Sequence, residues 1–332
     1  MTADTSLHVS SLHEFLAAVP YLLGFHPADS VVVVALKDRR VLCAARAGCD
    51  DPVDHTAEVL VRQGADAAAV IGYGEPVRVT PAVQRMSHAL SSRNVPVVDE
   101  FRVTGGRYWS YRCKDPDCCP PDGTPCRTAE SVVAAQATYD GQVLLPDRAA
   151  LAARLAPVTG DEQVAMSAAT ERARDRLTEA LPHGIRRTGR AAVRAAEVRY
   201  RSGGRLTDDE VAWLGMMLVE TRIRDYAWMR TAGEDWRIAL WTDVTRRVDP
   251  LYVPAPASLL AFAAWRQGQG GLANAALDRA LSAEPHYPMA HLIGQILHEG
   301  VPPDLIDLTP PRSPHRRHRR GGRGRTHGRT VS

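Results

Sequence analysis

Apolar and polar positions change rhythm three times along this chain. From 11 to 23 they suit a short helix, with Ser11 as its cap, Glu14 three positions on as in a capping box, and Pro20 as its expected end. The run Val31-Val32-Val33-Val34-Ala35-Leu36 is then continuously apolar and mostly β-branched, which reads as a buried strand. The polar turn Lys37-Asp38-Arg39-Arg40 leads into a second apolar run, Val41 to Ala47, so the pair predicts an antiparallel hairpin and speaks against a wholly parallel Rossmann sheet. A helix over 53–63, a strand from Ala67 to Gly72, a helix over 81–91, and strands from Val95 to Val103 and Arg107 to Tyr111 follow. About five strands with helices between them predict a mixed sheet with helical cover, an α/β arrangement.

Residues 113–127 have no period and are rich in Cys, Pro and Asp, so they are expected to form a loop. From Ala129 onward the period is helical, with breaks near Gly141, Pro157, Pro182 and Gly203-Gly204, and a second capping box at Thr207 and Glu210. Between 256 and 299 the small and large residues Leu260, Ala261, Ala264, Ala273, Leu277, Ala280 and Leu281 have the spacing of one tetratricopeptide-type helical hairpin. One such unit is not a repeat array, so it reads as part of a helical region with a surface that could meet a protein partner. The predicted organisation is a mixed α/β domain over 10–125, a largely α-helical C-terminal region over 126–302, and a disordered basic tail over 303–332.

Composition sharpens the ends of this picture. No apolar run approaches the length of a membrane span, and Met1 to Ser11 lack the basic start and apolar core of a signal peptide, so a cytoplasmic protein without membrane contact is expected. The net charge of +3 hides an asymmetry: eight arginines, three histidines and no acid lie between Arg312 and Ser332, and removing those eight charges leaves the rest at −5. Arg316, Arg317, Arg319, Arg320, Arg323 and Arg325 among glycines and histidines could contact phosphates of nucleic acid without base preference.

Four of the six cysteines, Cys113, Cys118, Cys119 and Cys126, crowd into one loop, which is not the pattern of a secreted disulfide scaffold. They are candidate thiolate ligands for a structural zinc. Against this, neither C-x2-C knuckle is present, and the adjacent Cys118 and Cys119 diverge unless the backbone bends sharply. His26 is a candidate fourth ligand. His26, Asp29 and Ser30 also carry the residue types of an acyl-transfer triad, but they share one loop and Ser30 has no nucleophile elbow around it. They are better read as loop architecture or a ligand pocket, although a loop at the start of a strand is a less usual ligand position in α/β sheets than one at its carboxyl end. Gly72-Tyr73-Gly74-Glu75-Pro76 follows a strand without the third glycine of a dinucleotide fingerprint, so Glu75 is a pocket candidate only as part of a strand-end loop that meets the cysteine loop. Tyr108, Trp109 and Tyr111 beside Arg107 and Arg112 could stack bases, but they suit a strand packed against helices better. Trp109 remains a pocket candidate.

The opening Leu22-Leu23-Gly24-Phe25-His26-Pro27-Ala28-Asp29-Ser30, with Trp109-Ser110-Tyr111 and Cys118-Cys119-Pro120-Pro121-Asp122-Gly123, resembles a family of uncharacterised actinobacterial proteins of unknown function over residues 10 to 302. That family shows a similar LLGF-x-P-x-x-S opening and a similar W-S-Y…CCP-x-x-G segment. It has no established activity, so the resemblance implies a domain and no mechanism. No motif reaches the specificity of a known active site, which favours a non-enzymatic interaction or regulatory protein. The alternatives are a small-molecule enzyme with a pocket near His26 and the 113–126 cysteine loop, and a nucleic-acid-associated protein acting through its tail.

Overall fold

The computed structural model describes residues 11–126, 131–139 and 143–306. The chain opens with α1 (Leu12–Leu23), where the Ser11 hydroxyl accepts from the Glu14 amide at 3.2 Å. Pro20 does not end this helix. It removes one backbone donor, and the helix runs on until Gly24 turns left-handed at φ 82°.

The hairpin follows as β1 (Ser30–Lys37) and β2 (Arg40–Gly48), then α2 (Asp54–Arg62), β3 (Ala67–Tyr73), α3 (Pro76–Ser91), β4 (Val97–Thr104) and β5 (Arg107–Ser110). Helix α3 begins well before the expected 81, because Pro76 occupies the first turn, where a missing N–H costs nothing. The loop expected over 113–127 contains a short sixth strand, β6 (Thr124–Pro125), paired with β5. The sheet order is β2-β1-β3-β4-β5-β6, and among these neighbours only β3 and β4 run parallel.

Both faces of the sheet are covered. Val31, Val33, Ala35 and Val70 pack on one face with Leu60 of α2 and Val79, Val83 and Met86 of α3. Gly72 lets α3 lie close, since a Cβ there would stand 2.8 Å from Val79. Val32, Val34, Ile71 and Phe101 pack on the other face with Leu16 and Val19 of α1. Strand alternation explains the continuous apolar run 31–36: one set of side chains serves each face.

The helical region comprises α4 (Val132–Tyr139), α5 (Arg148–Ala153), α6 (Asp161–Ala180), α7 (Arg186–Arg201), α8 (Asp208–Met217), α9 (Thr221–Trp228), α10 (Asp235–Arg247), α11 (Pro254–Arg266), α12 (Gly270–Ala283) and α13 (Pro288–His298). Thr207 and Glu210 form the complete capping box of α8. Helices α11 and α12 are antiparallel neighbours whose buried faces carry Leu260, Ala261, Ala264, Ala273, Leu277 and Ala280, and small residues permit that close approach. Trp213, Trp241 and Trp265 are buried in this core. Residues 303–305, expected to be disordered, form a 3-10 turn, and the Arg266 guanidinium donates to the carbonyls of Pro303 and Ile306 at 2.6 Å each. The arginines from Arg316 to Arg325 lie outside the described residues.

The sheet and the helices touch at specific points. The His26 amide donates to the Leu145 carbonyl at 3.0 Å, and the Leu145 amide donates back to Gly24 at 3.2 Å. Arg62 pairs with Glu299 at 2.6 Å, and the rings of His55 and His298 stack 3.8 Å apart. No helix of the described residues is long and apolar enough to cross a membrane.

Candidate ligand cavity and cysteine cluster

Two constellations arise around the sheet. The first is a cavity of about 320 Å3 whose wall includes His26, Asp29, Tyr73, Gly74, Thr104 and Cys126. Its position follows from strand direction. Strand β1 runs antiparallel to β3 with Ser30 opposite Tyr73, so the start of β1 lies beside the end of β3. The parallel strand β4 ends there too, at Thr104. The loop expected to occupy an unusual position for a ligand therefore stands at the carboxyl ends of two parallel strands, where α/β sheets commonly bind ligands.

The wall is held from several sides. The 24–29 loop is clamped through Leu145, and Asp29 takes a positive φ of 40°. Gly74 (φ 136°) makes room for it, because a Cβ on Gly74 would stand 2.8 Å from Asp29 Oδ1. The Gly105-Gly106 turn forms the rim, and the Gly106 carbonyl accepts from the Cys126 amide at 2.7 Å. Burial pushes the Cys126 thiol up, so it stays protonated and is a poor nucleophile. Burial also pushes the Tyr73 phenol up.

The remaining pocket candidates separate. Ser30 is fully buried beside Tyr73 on the same face and is not part of the wall. Glu75 occupies the N-cap position of α3 outside the wall, and its side chain accepts from Thr104 Oγ1 at 3.4 Å. Trp109 is not at the cavity and does not pack under helices as expected. Its ring lies beneath the Arg102 guanidinium at 3.6 Å, and its Nε1 donates to the Pro121 carbonyl at 3.0 Å.

Trp109 thus leads to the second constellation, the 110–123 loop. Ser110 Oγ accepts from the amides of Arg112 (3.1 Å) and Cys113 (3.0 Å). The Asp115 carbonyl accepts from the Cys119 amide at 2.7 Å, turning the backbone back on itself. Arg107 pairs with Asp122 at 2.7 Å and also donates to the Asp122 carbonyl at 2.7 Å. Gly123 lies against Trp109, with no room for a Cβ.

This folding brings the Sγ atoms of Cys113, Cys118 and Cys119 within 4.8 Å of one another, so the adjacent cysteines do converge. The Cys118 and Cys119 sulfurs are 4.0 Å apart. Thiolates on tetrahedral zinc lie roughly 3.8 Å apart, given Zn–S of about 2.3 Å, so a modest closure would bring the three into a ligand set. A hydrogen bond from Cys119, and one from the Asp115 backbone, hold the Cys113 thiol below its usual range. Its partner Cys119 is pushed up to about 12, chiefly by that same hydrogen bond.

Cys126, expected as a fourth ligand, is not in this group. It packs with Phe101 and Tyr108 on the α1 face of the sheet, whereas Trp109, one residue on, faces the other way. His26 likewise joins Cys126 at the cavity and not the three thiols. Tyr73 was the residue that sequence reasoning did not single out, although the strand-end segment containing it was expected to meet the cysteine loop. A larger depression of about 470 Å3 at Asp50–Asp54 and Arg85 has its polar groups engaged: Asp50 pairs with Arg78, Asp51 accepts from the Gly48 amide, and Asp54 pairs with Arg93.

The family described as "Domain of unknown function (DUF4192)" matches residues 13–304. The chain belongs to the DUF4192 family. No curated protein and no solved structure matches the chain. Both constellations of this DUF4192 chain fall inside the matched span.

Proposed function

We propose that this protein is a small-molecule enzyme acting at the cavity on the carboxyl ends of β3 and β4, with its cysteine loop held by zinc. The observation that carries the reading is convergence. Residues from the 24–29 loop, from β3 and from just beyond β6 meet around one concave space, and they include an imidazole, a carboxylate and a phenol. Such a set is suited to moving protons on a bound substrate. His26 and Asp29 would be the proton-transferring pair, and Cys126 a neutral part of the wall.

Zinc fits the cysteine loop by donor chemistry: three sulfur ligands suit this metal and leave one coordination position free. The ion would supply positive charge that fixes three thiolates, and with them the loop that follows β5. Among partners, the arginines from Arg316 to Arg325 support a salt-sensitive contact with nucleic acid separate from the cavity; binding that survives deletion of 307–332 would overturn that contact.

The test of the enzyme reading is depletion of compounds from a small-molecule cell extract, followed by mass spectrometry. A compound consumed by the intact chain and spared by folded His26→Ala and Asp29→Asn variants supports it. An extract unchanged by the zinc-loaded chain, with no compound that stabilises it against heat, overturns it.

A further inference from the structure

The cavity wall is unevenly furnished with polar groups. Tyr73 is only 7% exposed, and its hydroxyl has no hydrogen-bond partner among the described residues. Ser30, directly across the ladder on the same face, is fully buried and its hydroxyl is likewise unpartnered. Buried polar groups are nearly always paired, so two orphaned hydroxyls beside one cavity mark a place where an outside partner is due.

Charge defines a second part of the wall. Asp29 is the wall's carboxylate, and neither lysine nor arginine lines the cavity. Glu75, bonded to Thr104 of the wall, adds a second negative charge nearby. The nearby cation is Arg46, whose guanidinium donates to the Ala28 carbonyl of the wall at 3.4 Å from outside the lining; within the wall an anionic ligand would still meet the Asp29 carboxylate, whereas an ammonium group would pair with it directly. The volume of about 320 Å3 is at the small end for organic ligands, which run from about 300 Å3. The rim has space above it, since a Cβ on Gly105 or Gly106 would meet nothing within 4 Å.

We propose that the cavity binds a small organic amine, its ammonium group paired with Asp29 and a hydroxyl or carbonyl at its other end bonded to Tyr73. This rests on the reading of the cavity as the protein's ligand site and adds the ligand's chemical class. Asp29 selects by charge, and Tyr73 selects for a polar far end over an apolar one.

The experiment uses the full chain and three probes of one shape: tyramine, phenethylamine and (4-hydroxyphenyl)acetate. Amide NMR spectra are followed during titration of each. Tyramine is expected to give saturable shifts at Gly74, Gly105 and Gly106, with (4-hydroxyphenyl)acetate at least tenfold weaker. Asp29→Asn should abolish that difference, and Tyr73→Phe should abolish the preference of tyramine over phenethylamine. Equal or tighter binding of the acetate overturns the amine proposal while leaving the cavity as a ligand site. Saturable shifts confined to other regions, or no saturable shift with either amine, also overturn it. In those cases the extract-depletion result decides separately whether the enzyme reading survives.

Discussion

Ser30 and Tyr73 stand opposite each other across the antiparallel β1–β3 ladder, each with a buried hydroxyl that no described residue satisfies. This pairing brings the first residue of one strand to the last of another and sets Ser30 behind Tyr73, which lines the cavity. It also sets up an unusual stability prediction. Deleting a satisfied buried hydroxyl costs stability, but deleting an orphaned one removes a desolvation penalty of about 1–3 kcal/mol. Tyr73→Phe is therefore expected to unfold in urea at the same or a higher midpoint, and a clear loss of stability would show that the hydroxyl has a partner in solution.

Metal content tests the cysteine loop. Protein purified untagged under reducing conditions is expected to carry one zinc per chain by elemental mass spectrometry, in line with three convergent sulfurs. Cys113→Ser and Cys118→Ser should each lose it, whereas Cys126→Ser should retain it, because Cys126 lies outside the three-sulfur group and packs with Phe101. Metal-free wild-type protein, with the serine variants equally stable, would sink the zinc assignment.

Gly123 ties the loop to the sheet. Its φ is 83°, and a Cβ would stand 2.5 Å from Trp109 Cε2, so Gly123→Ala must displace the ring or the loop. The Trp109–Pro121 hydrogen bond should weaken with it. The expected outcome is a loss of about 1–3 kcal/mol, the range for strained backbone positions, together with at least tenfold weaker zinc binding in a chelator competition. Unchanged zinc affinity would mean that the loop keeps its shape without Trp109.

In α7, Glu197 is buried between Arg230 (2.5 Å) and Arg237 (2.8 Å), and the Arg237 side chain is 8% exposed. Glu197→Ala strands a buried guanidinium and is expected to cost about 3–5 kcal/mol. Replacing both Glu197 and Arg237 with apolar residues should recover much of that loss, which a double-mutant cycle in urea would measure.

Asp243 gives the acid limb of stability. Burial pushes its carboxyl up, but hydrogen bonds from Arg205, Tyr200 and Arg247 outweigh this and hold it below the usual range. A folded value below the unfolded one means the stabilisation is present above about pH 4, the ordinary range of an aspartate, and is lost as pH falls through the lower folded value. Asp243→Asn should lower stability at neutral pH and flatten the decline in acid, which urea titrations across pH 2–7 would reveal.

Much of the architecture was legible because it follows from local rules. The 31–36 run needed two buried faces, the Lys37–Arg40 turn allowed only a tight antiparallel return, and Ser11, Thr207 and Glu210 announced helix starts. Helix ends were less legible. Pro20 and Pro76 carry the same side chain, yet one sits inside a helix and the other begins one, because the surrounding packing decides which backbone donors must be used.

The sequence by itself determined a mixed sheet followed by helices, and a cysteine-rich loop with no period of its own. Only the tertiary structure decided which residues act together. Strand direction carried Asp29 to the carboxyl end of β3, an outcome that spacing along the chain cannot encode, since it depends on which strand β1 pairs with second. Side-chain alternation sent Trp109 and Cys126 to opposite faces of the sheet, dividing one cysteine-rich segment between a three-thiol cluster and a cavity wall.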